Sequence, residues 1–476
     1  MLLQGKSNLY MNELRKRKAA EERRDFRTIA TFTIDPEDAK DFDDAISIVP
    51  LGGNRFELGI HIADVTHYVP FNSVIDKHAQ KAGTSVYLVD ETVHMLPSEL
   101  STDVCSLVPK KDRLTFSVVV TITTQGKVED TWIGKTIINS RKRFSYKEAQ
   151  GVLNAKTGVL AKELQHMRTI ARALKQERMK HGAIEFGSEE IGFTLKNGLI
   201  TDAFVKPYYE TMGMIEECML LANRLVAAYM HKALKHTKGM TGVYRVHDAP
   251  HGDKLHVLES LLSAFGYTLQ KQKGLVTSSS IERVLEQAKG TPEYDCINLS
   301  LLRSMPKATY DYRNTGHFGL GFSHYTHFTS PIRRYPDMMV HRILHALLTN
   351  STLPQREVLA YRSLVIKNTE QEIGAQEAER DSIKYALVRY WEPRLGTICT
   401  GSVSGVVPYG IFVRDSKTHA EGFVHVTRLR KYGYLHYNEA TLSLENEEMT
   451  FHLGDTLRFA FTGIKEDRNQ LEADIA

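Results

Sequence analysis

Residues 33–45 read TIDPEDAKDFDDA and place six carboxylic acids within the ten positions 35–44. They lie between residues 28–34 and 45–49, whose β-branched and aromatic side chains predict two β-strands. Carboxylates that such a turn brings together repel each other unless a cation binds between them, and their oxygens suit Mg²⁺ or Mn²⁺. From these residues alone a solvated acidic turn is the alternative. The pattern of an EF-hand loop is absent.

The strands and helices around this acidic stretch predict a sheet covered by helices. Residues 55–65 alternate apolar and polar side chains, and residues 114–123 and 127–136 predict two more strands. From residue 158 the apolar period changes to three or four, which is typical of helices. The predicted helices begin near residue 158 and then span 212–235, 253–265, 280–289, 336–349 and 356–391, with a hairpin at 191–205.

The last 80 or so residues return to short β segments, at 396–405, 409–415, 421–427 and 456–464. Their spacing predicts a small five-stranded barrel of the OB type. We place the boundary near Pro393. The predicted fold class is therefore α+β: a mixed sheet with packed helices over residues 28–392, followed by a barrel over residues 393–476, after a basic segment at 1–27.

Composition and cysteine usage exclude several classes of protein. The 476 residues are 42% hydrophobic, 25% charged and 9% aromatic, which is ordinary globular usage rather than that of a disordered or collagen-like chain. No run approaches the roughly 18 apolar residues of a membrane span. The four cysteines are far apart, which disfavours a zinc ribbon and a disulfide framework. We therefore expect free thiols, a cytoplasmic location and no membrane partner.

Positive charge is concentrated at the start of the chain. Residues 1–27 hold eight Lys or Arg and four acids, which accounts for the whole net charge of +4. Such a segment is either an arm that binds nucleic acid or a solvated amphipathic helix. A transit peptide is disfavoured because those are poor in acids and rich in Ser.

The acidic stretch resembles a family signature, and further motifs continue that resemblance in order. Residues 35–45 are similar to the signature of the RNB exoribonucleases, the ribonuclease II and ribonuclease R family. Residues 396–475 resemble an S1-type RNA-binding domain. The colinear set covers about residues 28–475, and its other members are HIADV at 61–65, SVY at 85–87, MLPSELS at 95–101, CSL at 105–107, YRVH at 244–247 and HFTSPIRRYPD at 327–337.

The resemblance implies an activity. It implies an RNB catalytic domain that hydrolyses single-stranded RNA processively from a free 3′ end to 5′-nucleoside monophosphates. It implies Mg²⁺, or Mn²⁺ in its place, as the cofactor. We expect a monomer, and no protein partner is implied.

The resemblance also assigns the catalytic residues. Asp43 is expected to matter most for the chemistry, Arg333 is expected to position the scissile phosphate, and Glu379 is expected to work with this region. On sequence alone, Glu379 is an ordinary surface residue of a long helix. The implied metal ligands are Asp35, Asp41, Asp43 and Asp44.

The implied RNA contacts come from both domains. Tyr87 and Phe186 would clamp the terminal bases by stacking, and Glu217 would contact the 3′-terminal nucleotide, where the 2′-hydroxyl distinguishes RNA from DNA. The remaining candidates are Arg334, as a backup to Arg333, and Tyr409, Phe412 and His425 in the barrel. Read without the family, the aromatic residues could be core, Arg334 a structural ion pair and Glu217 an acid in a first helical turn.

Two rival interpretations stay open at this point. A catalytically idle RNA-binding protein could share the fold, although all four aspartates and Arg333 are present. A sugar-nucleotide transferase could use the Asp-x-Asp at residues 41–43, but it would leave the barrel unexplained. Relatives usually carry two cold-shock-type domains before the catalytic domain, whereas about 27 residues precede it here. We expect either a naturally short member or a partial product, with a changed capture of RNA.

Overall fold

The computed structural model describes residues 23–185, 189–272, 274–291, 293–439 and 441–476. A mixed sheet covered by helices is followed by a closed barrel, which confirms the predicted α+β class. Each of the predicted strands and helices is present, with ends shifted by a few residues in most cases. One strand is longer than predicted, and several helices were not predicted.

The central sheet contains six strands, and two further strands form a small hairpin beside it. In space the strand order is β1-β8-β2-β3-β4-β7. The long strand β8 also pairs with β7, so that it contacts both outer strands, β1 and β7. The bounds in this part of the chain are β1 Arg24–Asp25, β2 Thr31–Asp35, β3 Asp44–Gly52, β4 Arg55–Ala63, β5 Val86–Tyr87, β6 Thr92–Val93, β7 Asp112–Thr123 and β8 Val128–Ser145.

Strand β8 is nine residues longer than the predicted end at residue 136. Its last part pairs in parallel with β2, so that Ser145 lies opposite Asp35. The extension is rich in Asn, Ser, Lys and Arg and half-buried, and this polarity hid it from a reading based on apolar alternation. Because of this extension, side chains at the end of β8 lie beside the end of β2.

Helices cover the sheet and connect it to the barrel. The helix α1 follows β4 directly and α3 follows β8; in this part of the chain α1, α2, α3 and α8 were not predicted. The bounds are α1 Val65–Tyr68, α2 Val74–Ala82, α3 Tyr146–Ala155, α4 Ala161–Lys180, α5 Glu210–Leu234, α6 Gly252–Ala264, α7 Ser278–Ala288, α8 Tyr294–Ser304, α9 Tyr335–Leu348 and α10 Gln355–Trp391. The small strands between them are β9 Ile191–Lys196, β10 Leu199–Val205, β11 Tyr244–Val246, β12 Lys271–Gln272, β13 Leu275–Val276 and β14 Thr309–Asp311.

The first described residues are part of the central sheet. Phe26 is buried in the core of the domain, and Arg23 donates to the fully buried Asp64 at 2.8 Å, beside Lys135 at 2.6 Å. Arg24 pairs with Glu57 at 2.9 Å. Residues 23–27 were assigned to the basic segment from the sequence, yet their charges are engaged by acids of the sheet. Residues 1–22 lie outside the described part of the chain.

The C-terminal part is a closed barrel of five strands, as predicted. Its strands are β15 Ile398–Val407, β16 Gly410–Asp415, β17 Glu421–His425, β21 Thr456–Lys465 and β22 Gln470–Ile475. The short helix α11 Val426–Leu429 follows β17 and precedes a small three-stranded sheet. The strands of this sheet are β18 His436–Asn438, β19 Ser443–Glu445 and β20 Thr450–Phe451.

The barrel packs on the end of the long helix α10. The Trp391 ring lies 4.7 Å from the Phe461 ring, and its indole N–H donates to Thr418 Oγ1 at 3.1 Å. A side chain from the helix therefore completes the barrel core.

The four cysteines are buried free thiols. Within the described ranges, no helix is both long and apolar enough to cross a membrane.

Candidate active site

The acidic loop lies between the end of β2 and the start of β3, and a buried aromatic residue holds its shape. Phe42 is buried, its N–H donates to Ser106 Oγ at 3.0 Å, and its carbonyl accepts from Leu107 at 3.0 Å. Ser106 in turn donates to the carbonyl of Lys40 at 2.7 Å. The Phe42 ring packs in the core of the domain and so fixes the loop between Asp41 and Asp43.

Asp43 has one anchored oxygen and one free oxygen. Its Oδ1 accepts from the backbone N–H of Ile332 at 2.9 Å, and its Oδ2 lies 3.6 Å from Arg333 Nε. Among the described residues, the buried Oδ2 has no hydrogen-bond partner. Burial raises the pKa of Asp43 well above its usual range, and the Arg333 charge and the Ile332 N–H oppose that rise. The site therefore holds a carboxylate that is fixed in position but lacks a full set of partners.

Asp35 and Asp44 show the same deficit. The Oδ2 atom of each is buried, and no described residue donates a hydrogen bond to it. Burial, reinforced by the charge of Asp44, raises the pKa of Asp35 to about 8. Burial also raises the pKa of Asp44 to about 6, against the effect of Arg333. At neutral pH without a cation, Asp35 therefore keeps its proton.

The donors of this cluster fit a hard divalent cation. Three buried carboxylate oxygens, one each from Asp35, Asp43 and Asp44, lack partners, and all are of the kind that Mg²⁺ prefers. A bound cation would take the place of the retained protons. In the described part of the chain, no three acidic, His or Cys side chains are already arranged as a finished metal site. The carboxylates would therefore turn toward the ion as it binds.

Tyr87 connects the acidic loop to the long helix α10. Its hydroxyl donates to Asp41 Oδ2 at 3.0 Å, and its backbone N–H donates to Glu379 Oε1 at 3.0 Å. The residue is 38% exposed, so part of it is accessible to a ligand. Residues that are 292 positions apart in the sequence thus meet beside the carboxylates.

The loop before α9 carries the two arginines, and they have different surroundings. The Arg333 side chain is 43% exposed, and Nη2 donates to Ser330 Oγ at 3.1 Å. The Arg334 side chain is 17% exposed and donates to the fully buried Asp337 at 2.9 Å. This contact favours the structural ion pair for Arg334, the alternative left open by the sequence. Arg333 is the arginine that faces the carboxylates.

The other predicted contacts lie on other elements of the fold. Glu217, on α5, is buried and accepts from Arg178 Nη2 at 2.6 Å and Nε at 3.1 Å. In the barrel, Tyr409 is 57% exposed, and its ring lies 5.8 Å from Phe423. Phe412 is half-buried with its ring 4.9 Å from Phe423. Phe186 lies outside the described residues.

Two further residues reach the carboxylates without having been singled out from the sequence. Arg143 donates to the carbonyl of Glu37 at 2.8 Å, and its charge lowers the pKa of Asp35. Tyr146 is close enough to Asp44 and Asp35 for both charges to add to the effect of burial in raising the pKa of its phenol. Both belong to the unpredicted end of β8 and start of α3, so no periodic signal pointed to them.

Family models match both parts of the chain. The one described as "RNB domain" matches residues 23–350, and the one described as "S1 RNA binding domain" matches residues 392–473. The first match contains the four aspartates, Tyr87, Glu217 and Arg333, and the second contains the barrel.

Known proteins resemble the chain over nearly its whole length. Ribonuclease R of Aquifex aeolicus is 34% identical over 463 residues, which cover 95% of this chain and 65% of that protein. Ribonuclease R of Thermotoga maritima is 35% identical over 462 residues, which cover 94% of this chain and 64% of that protein. The chain thus spans slightly less than two thirds of the length of these curated relatives.

A solved structure shows the same architecture. It is Mycoplasma genitalium RNase R in complex with ribose-methylated single-stranded RNA, which superposes with a TM-score of 0.87 at 28% sequence identity. The superposition covers 97% of this chain and 73% of that one. The RNB match alone extends over more than half of the sequence. The chain belongs to the RNB family and carries an S1 RNA-binding domain after its RNB domain.

Proposed function

We propose that this protein is a 3′→5′ exoribonuclease that hydrolyses single-stranded RNA processively to 5′-nucleoside monophosphates. It works as a cytoplasmic monomer with Mg²⁺, or Mn²⁺ in its place. The observation that carries the proposal is the pair of Asp43 and Arg333. A buried carboxylate with one free oxygen faces a half-exposed guanidinium, next to two more buried carboxylates with free oxygens.

Asp35, Asp41, Asp43 and Asp44 would hold the cations. Bound there, divalent ions supply an activated water and a stabilised leaving oxygen for phosphodiester hydrolysis. The protein prepares for them by burying Asp35 and Asp44, so that each carboxylate gains a partner when the ion replaces its proton. The Ile332 N–H keeps Asp43 from turning away.

Arg333 would position the scissile phosphate. A guanidinium presents a planar fork of N–H donors that matches phosphate oxygens. Ser330 Oγ accepts from one nitrogen of this fork, which orients the group while much of it stays accessible. Its charge lies beside the carboxylates, where negative charge develops on the phosphate as hydrolysis proceeds.

Tyr87 and Glu379 would act together at the RNA end. Glu379 fixes the backbone of Tyr87, and the Tyr87 hydroxyl fixes Asp41, so the three groups share one geometry. The aromatic ring of Tyr87 can stack on a base of any identity. We assign the same role to Phe186. Glu217, held by Arg178, could accept hydrogen bonds from ribose hydroxyls.

The two domains would divide the work. We propose a catalytic domain over residues 28–392 and an RNA-capturing barrel over residues 393–476. Tyr409 and Phe412 lie with Phe423 in one aromatic group on the barrel, as stacking residues do on OB-type folds. Arg334 contributes by holding the Arg333 loop through Asp337 rather than by touching RNA.

The test is degradation of labelled single-stranded RNA. With Mg²⁺, a 3′ label should appear at once as a mononucleotide, whereas a 5′ label should end in a short limit product. In the presence of an unlabelled RNA trap, a processive enzyme should finish the strands it holds. EDTA should stop the reaction, and single-stranded DNA should survive. RNA binding without any nucleotide release in Mg²⁺ or Mn²⁺ would instead favour the catalytically idle RNA-binding protein.

A further inference from the structure

A cavity of about 650 Å³ has Glu217, one of the proposed RNA contacts, in its wall. Its walls are α4, α5, the turn between β7 and β8, and residues 321–323. Along α5 the lining residues Glu217, Leu221 and Arg224 lie on one face, at the spacing of successive helical turns. At 1.5 Å rise per residue, the cavity follows this helix for about 10 Å beyond Glu217. Its volume is in the range of sites for small ligands.

The cavity runs from the catalytic end of the sheet toward the opposite end. The helix α5 begins at the catalytic end, because Thr211 Oγ1 donates to the carbonyl of Tyr146 at 3.0 Å, one residue after Ser145, which lies opposite Asp35. The turn at residues 125–127 is at the other end, because β7 pairs with β4 from Ala63 back to Arg55. The cavity therefore leads from Glu217 away from the catalytic end of the sheet.

Arg224 gives the cavity a cation without a partner. It is half-buried, its guanidinium lies 5.4 Å from the Phe322 ring centre, and no described carboxylate is within ion-pair distance of it. Arg178 is different, since Glu217 neutralises it at 2.6 Å. Burying an unpaired charge costs free energy, so a half-buried arginine of this kind is suited to an anion from outside.

With the other charged groups of the lining included, the net charge of the cavity stays positive. Lys127 lines the outer end of the cavity and is exposed, without an ion pair to any described residue. Glu177 also lines the cavity, 3.6 Å from His181 Nδ1, and it acts on Arg224 only at longer range. The charged residues that line the cavity are thus three cations, Lys127, Arg178 and Arg224, and two acids, Glu177 and Glu217. The cavity is also lined by leucine side chains, which could pack against a flat ring.

We propose that this cavity binds a nucleoside 5′-monophosphate on its way out of the active site, with its phosphate at Arg224 and Lys127. The identity of the nucleotide rests on the proposed function, because that reaction would produce it. An RNA held against Tyr87 would fill the entrance between catalytic cycles. The cleaved nucleotide therefore needs a second route, and the cavity leads from Glu217 to the exposed residues Gln125 and Lys127.

Direct binding to the full-length chain tests this without any turnover. The ligands are 5′-AMP, adenosine and inorganic phosphate, titrated by calorimetry in EDTA. EDTA removes any divalent cation that would hold a phosphate at the four aspartates. We expect 5′-AMP to bind, phosphate to compete with it, and adenosine to bind at least about tenfold more weakly, since it lacks the charged hydrogen-bond acceptors.

Arg224→Gln should weaken 5′-AMP binding by about tenfold or more. Arg283→Gln is the matched control, because Arg283 is exposed on α7, away from the cavity, and should change binding less than twofold. Thermal unfolding shows whether each variant folds. If Arg224→Gln does not fold, Lys127→Gln on the exposed turn should weaken 5′-AMP binding several-fold.

Three results would overturn the inference: no binding of 5′-AMP to the wild type, equal binding of adenosine, or unchanged binding in the folded Arg224 and Lys127 variants. The outcome is separate from that of the proposed function. If the wild type degrades RNA but Arg224→Gln binds 5′-AMP equally well, only the proposal for the cavity is contradicted. If the wild type degrades no RNA but the variants bind 5′-AMP more weakly as expected, the cavity is still a binding site for the nucleotide and only the proposed function is contradicted.

Discussion

The Tyr87 hydroxyl donates a hydrogen bond to Asp41 Oδ2 at 3.0 Å, and this contact links an RNA-stacking candidate to a metal-ligand candidate. The two proposed roles of Tyr87, stacking on the base and holding the carboxylate, can therefore be separated by substitution. Phenylalanine keeps the ring and loses the hydroxyl, whereas alanine loses both. The N–H bond to Glu379 survives either change because it comes from the backbone.

We predict that Tyr87→Phe lowers kcat by about three- to tenfold, the value of one ordinary hydrogen bond, and leaves the limit product unchanged. Tyr87→Ala should in addition lengthen the limit product, because short RNAs lose stacking of about 1–3 kcal/mol. Gel analysis of end products and single-turnover rates measure the two effects. Equal limit products for all three proteins, with a lower melting temperature for Tyr87→Ala, would make Tyr87 a packing residue.

The second prediction concerns Asp43. Asp43→Asn should lower kcat by at least about a hundredfold, because the cations that activate water and stabilise the leaving oxygen lose one carboxylate ligand. RNA affinity should stay within a few-fold, because it rests on phosphate contacts and stacking. Asp38→Asn is the matched control, since Asp38 is an exposed residue of the same loop. Near-normal turnover by Asp43→Asn in Mg²⁺ would remove Asp43 from the chemistry.

Sequence reading found the acidic loop because its residues are contiguous, and the loop is also the centre of the observed site. It could not find from periodicity that the Ile332 N–H reaches Asp43 across 289 positions, since a contact of this kind leaves no local pattern. The family motif at residues 327–337 pointed to Arg333 but not to this contact. Arg143 and Tyr146 stayed hidden because the end of β8 is polar and half-buried.

The arginines show the limit of reading a motif residue by residue. Arg333 and Arg334 are neighbours with the same side chain, and the sequence offers no reason to separate them. Their difference comes from the backbone of the loop, which directs one toward Asp43 and the other toward the buried Asp337. The fold was easier to predict, since the five-stranded barrel and the long helices depend on apolar spacing over many residues.

The third prediction is a pH dependence of stability without metal. An unfolded aspartate titrates near about pH 4, whereas the folded pKa of Asp35 is about 8 and that of Asp44 about 6. As the pH rises through this window the unfolded state releases its protons first, so the free energy of unfolding falls. In EDTA the melting temperature should therefore decline from pH 5 to pH 8.

Two comparisons isolate this effect from other titrating groups. Mg²⁺ binds the charged carboxylates, so the stabilisation that it adds should grow with pH. Asp35→Asn imitates the protonated acid and should raise the melting temperature at pH 8 in EDTA by about 2 °C or more, with little effect at pH 5. Asp38→Asn should follow the wild type. A wild type whose stability is flat over this range would contradict the raised pKa values.

The fourth prediction separates the two arginines. Arg333→Lys keeps the charge but loses the planar fork, so kcat should fall by about tenfold or more while the melting temperature stays constant. Arg334→Lys disturbs a buried pair with Asp337 and should mainly lower the melting temperature. Unfolding curves and single-turnover rates on both proteins decide the matter. If Arg334→Lys is stable and loses more RNA affinity than Arg333→Lys, then Arg334 contacts RNA directly.

The last prediction concerns the barrel. Tyr409 is exposed beside Phe423, with Phe412 on the other side of that ring, and such a group can stack on successive bases. Tyr409→Ala should weaken binding to single-stranded RNA by about 1 kcal/mol or more, roughly fivefold, because one base loses its stacking partner. Cleavage of a short RNA at saturation should not change, since no contact near Asp43 is altered.

Tyr434→Ala is the control for this change. Tyr434 is also an exposed tyrosine of the barrel domain, but in the described part of the chain no aromatic ring lies against it. Its removal should leave the affinity within twofold, and fluorescence anisotropy with a labelled RNA would measure both variants at several salt concentrations. Since stacking is not electrostatic, the salt dependence should be the same for Tyr409→Ala and the wild type. Equal losses for the two tyrosines would mean that the aromatic group around Phe423 has no special part in RNA capture.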